Sequence, residues 1–309
     1  MRTLALRPPA FALAVLTGAV LATGCGEAGS GNPDAEVSAV ATTTQLADFV
    51  SQVGGGRVAV EQILEPNADP HSYEPRPSDA GAIADADVVL RSGGDLDEWL
   101  MELIDSAGGD APVIEVIDAV ESRGDDPHWW QDPRNADKAV ATIRERLAEA
   151  DPDGSDVYER NAAAYIERLR RLDSSVARCI DRIPRGDRKL VTTHDALGYY
   201  ADRYGLEVIG ALIPSLSTQA QPSSKDIGAL VDQIDELGVK AIFPESSVNP
   251  KLEEAVGRET GAEVGEALWA DTLGAEGSSG ATYIESIQSN TAAIVDGLTG
   301  GAVQCRPRV

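Results

Sequence analysis

The sequence predicts an α/β protein of two lobes, each with a mostly parallel sheet flanked by helices, joined by one long linker helix. Three observations carry this. Short β-branched runs alternate with amphipathic segments through residues 37–150, the pattern of strands connected by helices that cover both faces of a sheet. Residues 155–183 contain neither Gly nor Pro, and apolar side chains recur at Tyr165, Leu169, Leu172, Val176, Ile180 and Ile183, one continuous helical stripe. After Pro184 the strand–helix alternation resumes.

In chain order, the N-terminal lobe (36–153) reads as strands at 37–41, 58–62, 87–90 and 113–116, with helices at 45–53 and 96–106. The linker helix (154–184) takes Ser155 as N-cap and Pro184 as its stop. At about 1.5 Å per residue it is roughly 40 Å long, enough to run the length of both lobes. The C-terminal lobe (185–309) reads as strands at 189–193, 207–212, 241–243 and 263–268 and helices at 196–204, 224–237, 251–260 and 282–298. No repeat of the solenoid kind is present.

Composition narrows the function. The chain has 309 residues, 42% hydrophobic and 5% aromatic, with 51 acidic against 26 basic side chains and a formal charge of −25. Such acidity excludes nucleic acid as a partner, because phosphate binding rests on Lys and Arg, and otherwise describes a solvated surface. Arg2 and Arg7 precede an apolar stretch at 10–22, too short to span a bilayer of roughly 30 Å. It runs into Ala22-Thr23-Gly24-Cys25 and resembles a bacterial lipoprotein signal, although Leu21 stands one residue further from the cysteine than the common pattern. The reading is a signal peptide at 1–24, lipidation at Cys25 and a small polar tether at 25–35, with simple secretion as the alternative. Cys179 and Cys305 then remain as an even pair in an oxidising compartment, able to form a disulfide pinning the C-terminal tail or to stand as free thiols.

The chain has only 3 His, and each sits in ligand-like surroundings. His71 lies in Asp69-Pro70-His71-Ser72-Tyr73 and His128 in Asp126-Pro127-His128-Trp129-Trp130. In both, proline stiffens a non-helical loop that presents one imidazole, and the preceding carboxylate (Asp69, Asp126) is placed to hold the second ring nitrogen. His194 follows a predicted strand in Val191-Thr192-Thr193-His194-Asp195, and Asp271 follows another in Leu268-Trp269-Ala270-Asp271. The carboxyl ends of parallel strands are where such folds place ligand residues. Three imidazoles and a carboxylate suit a divalent transition metal, with two ligands converging from each lobe.

On these motifs, together with Tyr158, Asn161, Ala162 and Asp173 of the linker helix, Pro222-Ser223-Ser224-Lys225 and Ile242-Phe243-Pro244-Glu245-Ser246, the chain resembles the substrate-binding lipoproteins of bacterial zinc and manganese ABC importers. The resemblance implies metal ligands at His71, His128, His194 and Asp271. It also implies capture of Zn²⁺ or Mn²⁺ at the outer face of the cytoplasmic membrane, and delivery by a lipid-anchored monomer to a permease driven by an ATPase. Glu245 is a candidate outer-shell or substitute oxygen ligand. The segment before His128, Glu121 to Asp126, lacks the His-rich loop frequent in zinc members, whereas manganese members often carry Glu at the position of His194. Ligand softness and the Irving–Williams order favour Zn²⁺. The rival readings are an extracytoplasmic zinc metalloenzyme, opposed by the fourth protein ligand and the lack of a His-Glu-x-x-His helix, and a receptor for a chelated metal such as a siderophore or cobalamin. An adhesin or metallochaperone role would reuse the same site.

Overall fold

The computed structural model describes residues 35–309, so the signal peptide, Cys25 and nearly all of the tether lie outside the described residues. Within them, β1 (Val37–Ala41), β2 (Val58–Gln62), β3 (Val88–Arg91) and β4 (Val113–Glu115) form a parallel sheet in the order β2-β1-β3-β4. Strand β1 is central and almost wholly buried, as expected of a strand covered on both faces. Helices α1 (Thr44–Gly54), α2 (Pro77–Ala84) and α3 (Trp99–Ala107) connect these strands. Thr43 caps α1 by accepting from the Leu46 amide.

A helix not anticipated from the sequence, α4 (Pro133–Ala150), follows the second His loop. Asp132 caps it and Pro133 occupies its first turn, both start signals, but only Val140, Ile143 and Leu147 of its buried residues are large and apolar, which leaves a short periodic pattern. Helix α2 was equally hidden, being a short Ala/Gly-rich segment after Pro77.

The linker helix α5 spans Ser155–Ile180, 26 residues or about 39 Å. Its ends differ from expectation. The Gly154 backbone precedes it and the Ser155 side chain caps nothing, because the turn Pro152–Gly154 already delivers the chain in helical geometry. At the other end Asp181 to Ile183 form a tight turn, Ile183 N–H reaching Ile180 O, so the helix stops before Pro184 takes effect. Tyr158, Tyr165, Leu169, Leu172 and Val176 form its buried face, packed against α1 and α4 of the first half and against the last helix of the chain.

The second half holds β5 (Lys189–His194), α6 (Gly198–Tyr204), β6 (Glu207–Ile213), α7 (Ser224–Leu237), β7 (Ala241–Ile242), α8 (Lys251–Thr260), β8 (Glu263–Val264) and α9 (Tyr283–Thr299). The pairs β5-β6 and β7-β8 are parallel ladders, joined where Thr192 pairs with Phe243. This repeats the order of the first sheet. The predicted strand at 263–268 is shorter than expected: the chain leaves the ladder after Val264 and returns only where Leu268 pairs with Glu245.

One apolar core runs from β1 and α1 through α5 to α6 and α9, so both halves share the buried face of the long helix. Separate clusters cover the far faces, around Val191, Leu212 and Leu230 in the second half and Val40, Ile83 and Leu100 in the first. Cys179 near the end of α5 is disulfide-bonded to Cys305. The tail is held further by Arg308 N–H on Ser175 Oγ and by Gln288 on the Pro307 carbonyl. No helix among the described residues is long and apolar enough to cross a membrane.

Candidate metal centre

The ligand-type residues come from the carboxyl side of both sheets. Asp69, itself in extended backbone geometry, caps the turn Pro70–Ser72 by accepting from the His71 amide at 2.9 Å. Asp126 accepts from the His128 amide in the same way, at 3.0 Å. His194 is the last residue of β5, and Asp271 follows Leu268, which pairs with Glu245.

All four side chains converge. One ligand atom from each of His71, His128, His194 and Asp271 lies within 4.8 Å of every other. His71 Nε2 and His194 Nε2 stand 3.1 and 3.2 Å from Asp271 Oδ2, His128 Nε2 is 3.4 Å from Oδ1, and the Nε2 atoms of His128 and His194 are 3.3 Å apart. His71 Nε2 and both oxygens of Asp271 are buried with no hydrogen-bond partner. Buried polar atoms left in this way are costly, and a cation among them would satisfy all three.

The outer contacts orient two of the rings. His128 Nδ1–H donates to Asp126 Oδ1 at 2.7 Å, and His194 Nδ1–H to Glu245 Oε2 at 2.7 Å, leaving each Nε2 lone pair facing inward. Glu245 is fixed in turn by Ser247 Oγ and by its own amide on Thr193 Oγ1. Asp126 meets Arg123, whose guanidinium lies against Gly198; a Cβ there would fall 2.4 Å from Nη1. Asp69 departs from expectation: it does not touch the His71 ring. Its second oxygen instead accepts from Thr218 Oγ1 of the second half, at 2.7 Å.

Charge explains the titration. Asp126, Glu245 and Asp271 are all buried around the three rings. Burial alone would lower the basicity of His194, but Asp271 and Glu245 outweigh it and raise its pKa well above the ordinary value. Burial likewise opposes ionisation of Asp271, yet His194 and His128 hold it well below the usual carboxylate range. Burial and the Asp271 charge push Glu245 up. The pocket therefore favours positive charge at its centre.

Several residues that shape the site were not anticipated. Trp130 Nε1–H and Gln131 Nε2–H both donate to the Ala270 carbonyl, at 2.8 and 2.7 Å, and Tyr283 donates to the Trp130 carbonyl. The Leu273 amide donates to Thr44 Oγ1 at 2.8 Å. Asn67, in left-handed geometry at φ 67°, turns its amide to the Leu273 carbonyl and Thr272 Oγ1; Asn adopts this region more readily than most residues. Trp130 and Gln131 stand two and three residues after His128, a local signal; Thr44 and Asn67 carry none.

A family model described as zinc-uptake complex component A, periplasmic, matches residues 39–297. The manganese-binding lipoprotein MntA of Halalkalibacterium halodurans is 35% identical over 297 residues, covering 94% of this chain and 98% of its own. The iron-binding protein YfeA of Yersinia pestis is 30% identical over 272 residues, covering 84% and 85%. The solved structure of the periplasmic zinc binding protein TroA from Treponema pallidum superposes with a TM-score of 0.79 at 29% identity, covering 85% of this chain and 99% of that one. With its sheets, long helix and converging His and Asp side chains described, this chain belongs to the zinc-uptake complex component A periplasmic family.

Proposed function

We propose that the protein captures a divalent first-row transition metal outside the cytoplasmic membrane, with His71, His128, His194 and Asp271 as ligands, and delivers it to an ABC import permease with its ATPase. The observation that carries this reading is the spacing of the donor atoms. A tetrahedral ion with bonds of about 2.0–2.1 Å needs donors about 3.3 Å apart; each imidazole stands 3.1–3.4 Å from an oxygen of Asp271 and His128 stands 3.3 Å from His194, while the donor set as a whole lies within 4.8 Å. Three imidazole nitrogens and one carboxylate favour Zn²⁺ over Mn²⁺ by intrinsic affinity.

A second reading, Mn²⁺ as the physiological cargo, is favoured by both oxygens of Asp271 facing imidazoles, which offers five donors in all, and by the manganese named for the MntA relative. Donors so close together suit a bare ion rather than a chelate, and a fourth protein ligand argues for capture rather than hydrolysis. Lipidation at Cys25 would hold the monomer at the membrane, with free secretion as the alternative; MntA is itself named a lipoprotein.

Elemental analysis of protein purified without added metal, followed by competition titrations with Zn²⁺ and Mn²⁺, tests the reading. About one equivalent of metal, lost in His194→Ala, is expected; undiminished binding by that variant rejects the ligand set.

A further inference from the structure

The ligand loops are cross-wired between the two halves. Asp271 is encoded in the second half, but its loop is hydrogen-bonded to the first: Trp130 and Gln131 hold the carbonyl before it, Thr44 the amide of Leu273, and Asn67 the carbonyl of Leu273. The reverse holds for His71. Its loop is bonded to residues 215–219 between β6 and α7, where Thr218 donates to Asp69 and the Gln219 side chain donates to the His71 carbonyl. That segment is anchored beside His194, the Ser215 carbonyl accepting from the Asp195 amide. His71 is also the one residue of the four not buried throughout, although its side chain is only 5% exposed.

We infer that residues 215–219 form a latch on the His71 loop, and that Thr218 and Gln219 are positioning residues that set the rate of metal release. The inference rests on the ligand assignment proposed above. His128 and Asp271 are tied into one block by the Trp130 and Gln131 bonds, and His194 sits within β5. The His71 loop is held to the second half by the Thr218 and Gln219 bonds, one of them charge-assisted. Breaking these bonds loosens the loop around His71, which Asn67 still ties to Leu273 further back, and leaves the other three side chains in place.

The test loads wild type, T218V, Q219A and the double variant with Zn²⁺, then measures metal loss to an excess of a fluorescent zinc chelator. The double variant should release zinc about tenfold faster, as loss of a charge-assisted hydrogen bond implies, and T218S should restore the wild-type rate. Amide exchange at residues 69–74 of the metal-free protein should rise in the double variant while its melting temperature stays near wild type. An unchanged release rate in the double variant, with H194A abolishing binding, overturns the latch alone. Wild-type affinity in H194A overturns the latch together with the ligand assignment.

Discussion

The two Asp-Pro-His loops share their chemistry in sequence and diverge in structure. In each, the aspartate caps the amide two residues on. In the second loop the same carboxylate also grips its histidine ring; in the first it reaches to Thr218 of the second half instead. The second loop is a fixed part of a buried block, its histidine and both tryptophans enclosed. The first is held by partners from the other half of the molecule. A shared motif thus guarantees a stiff loop and an inward imidazole, while the division of labour between anchoring and access is set by what packs against it.

Four experiments probe this difference, beginning with the largest effect. Removing either imidazole, in H71A or H128A, should weaken Zn²⁺ binding by at least about 100-fold, beyond the range for an outer carboxylate; competition titration measures it. If H71A alone bound normally, the first loop would be structural and the comparison would fail. Next, D126N should cost about 10–100-fold in affinity because it disturbs the tautomer of His128, whereas D69N should cost no more than about tenfold, through a weakened contact to Thr218. Equal losses in the two variants would erase the distinction.

The third concerns protons. Asp271 and Glu245 raise the pKa of His194 above the usual 6.5 or so, so the folded metal-free protein holds a proton on this ring more tightly than the unfolded chain does. A raised pKa contributes stability that is fully present below the unfolded value and is lost as pH rises through the folded one. The metal-free protein should therefore lose melting temperature as pH climbs above about 6.5. Zn²⁺ binding at pH 7 should release about one proton from this residue, read as the dependence of calorimetric heat on buffer ionisation enthalpy. E245Q, lacking one of the two carboxylates, should release less. The smallest effect belongs to Q131L, which removes one of two donors to the Ala270 carbonyl; it should lower stability by about 1 kcal/mol in chemical denaturation and leave the first loop unaffected.

Much of this was legible beforehand, for physical reasons. The stripe of α5 is visible because Tyr165 through Ile180 keep helical spacing without interruption, and the four ligand-type residues because scarce histidines stood in stiff loops or at strand ends. Helix α4 was hidden because only Val140, Ile143 and Leu147 of its buried face are large and apolar, and the early end of β8 by tertiary pairing that draws Leu268 to Glu245. The role of Asp69 was misread because its motif matches that of Asp126, and only a contact 149 residues away in sequence distinguishes them. Contacts of that range leave no local pattern.

The disulfide between Cys179 and Cys305 closes a covalent ring over a separation of 126 residues. His194 and Asp271 lie inside the ring; His71 and His128 lie outside it. A protease that cuts once anywhere within the ring opens a circle but releases no fragment, and both ends stay tethered to α5. One cut between His71 and His128, by contrast, severs the covalent link between His71 and the other three side chains. In the extracytoplasmic setting proposed above, His194 and Asp271 are thus physically insured against a single nick, and the burden of resisting proteolysis falls on the surface loops of the first half.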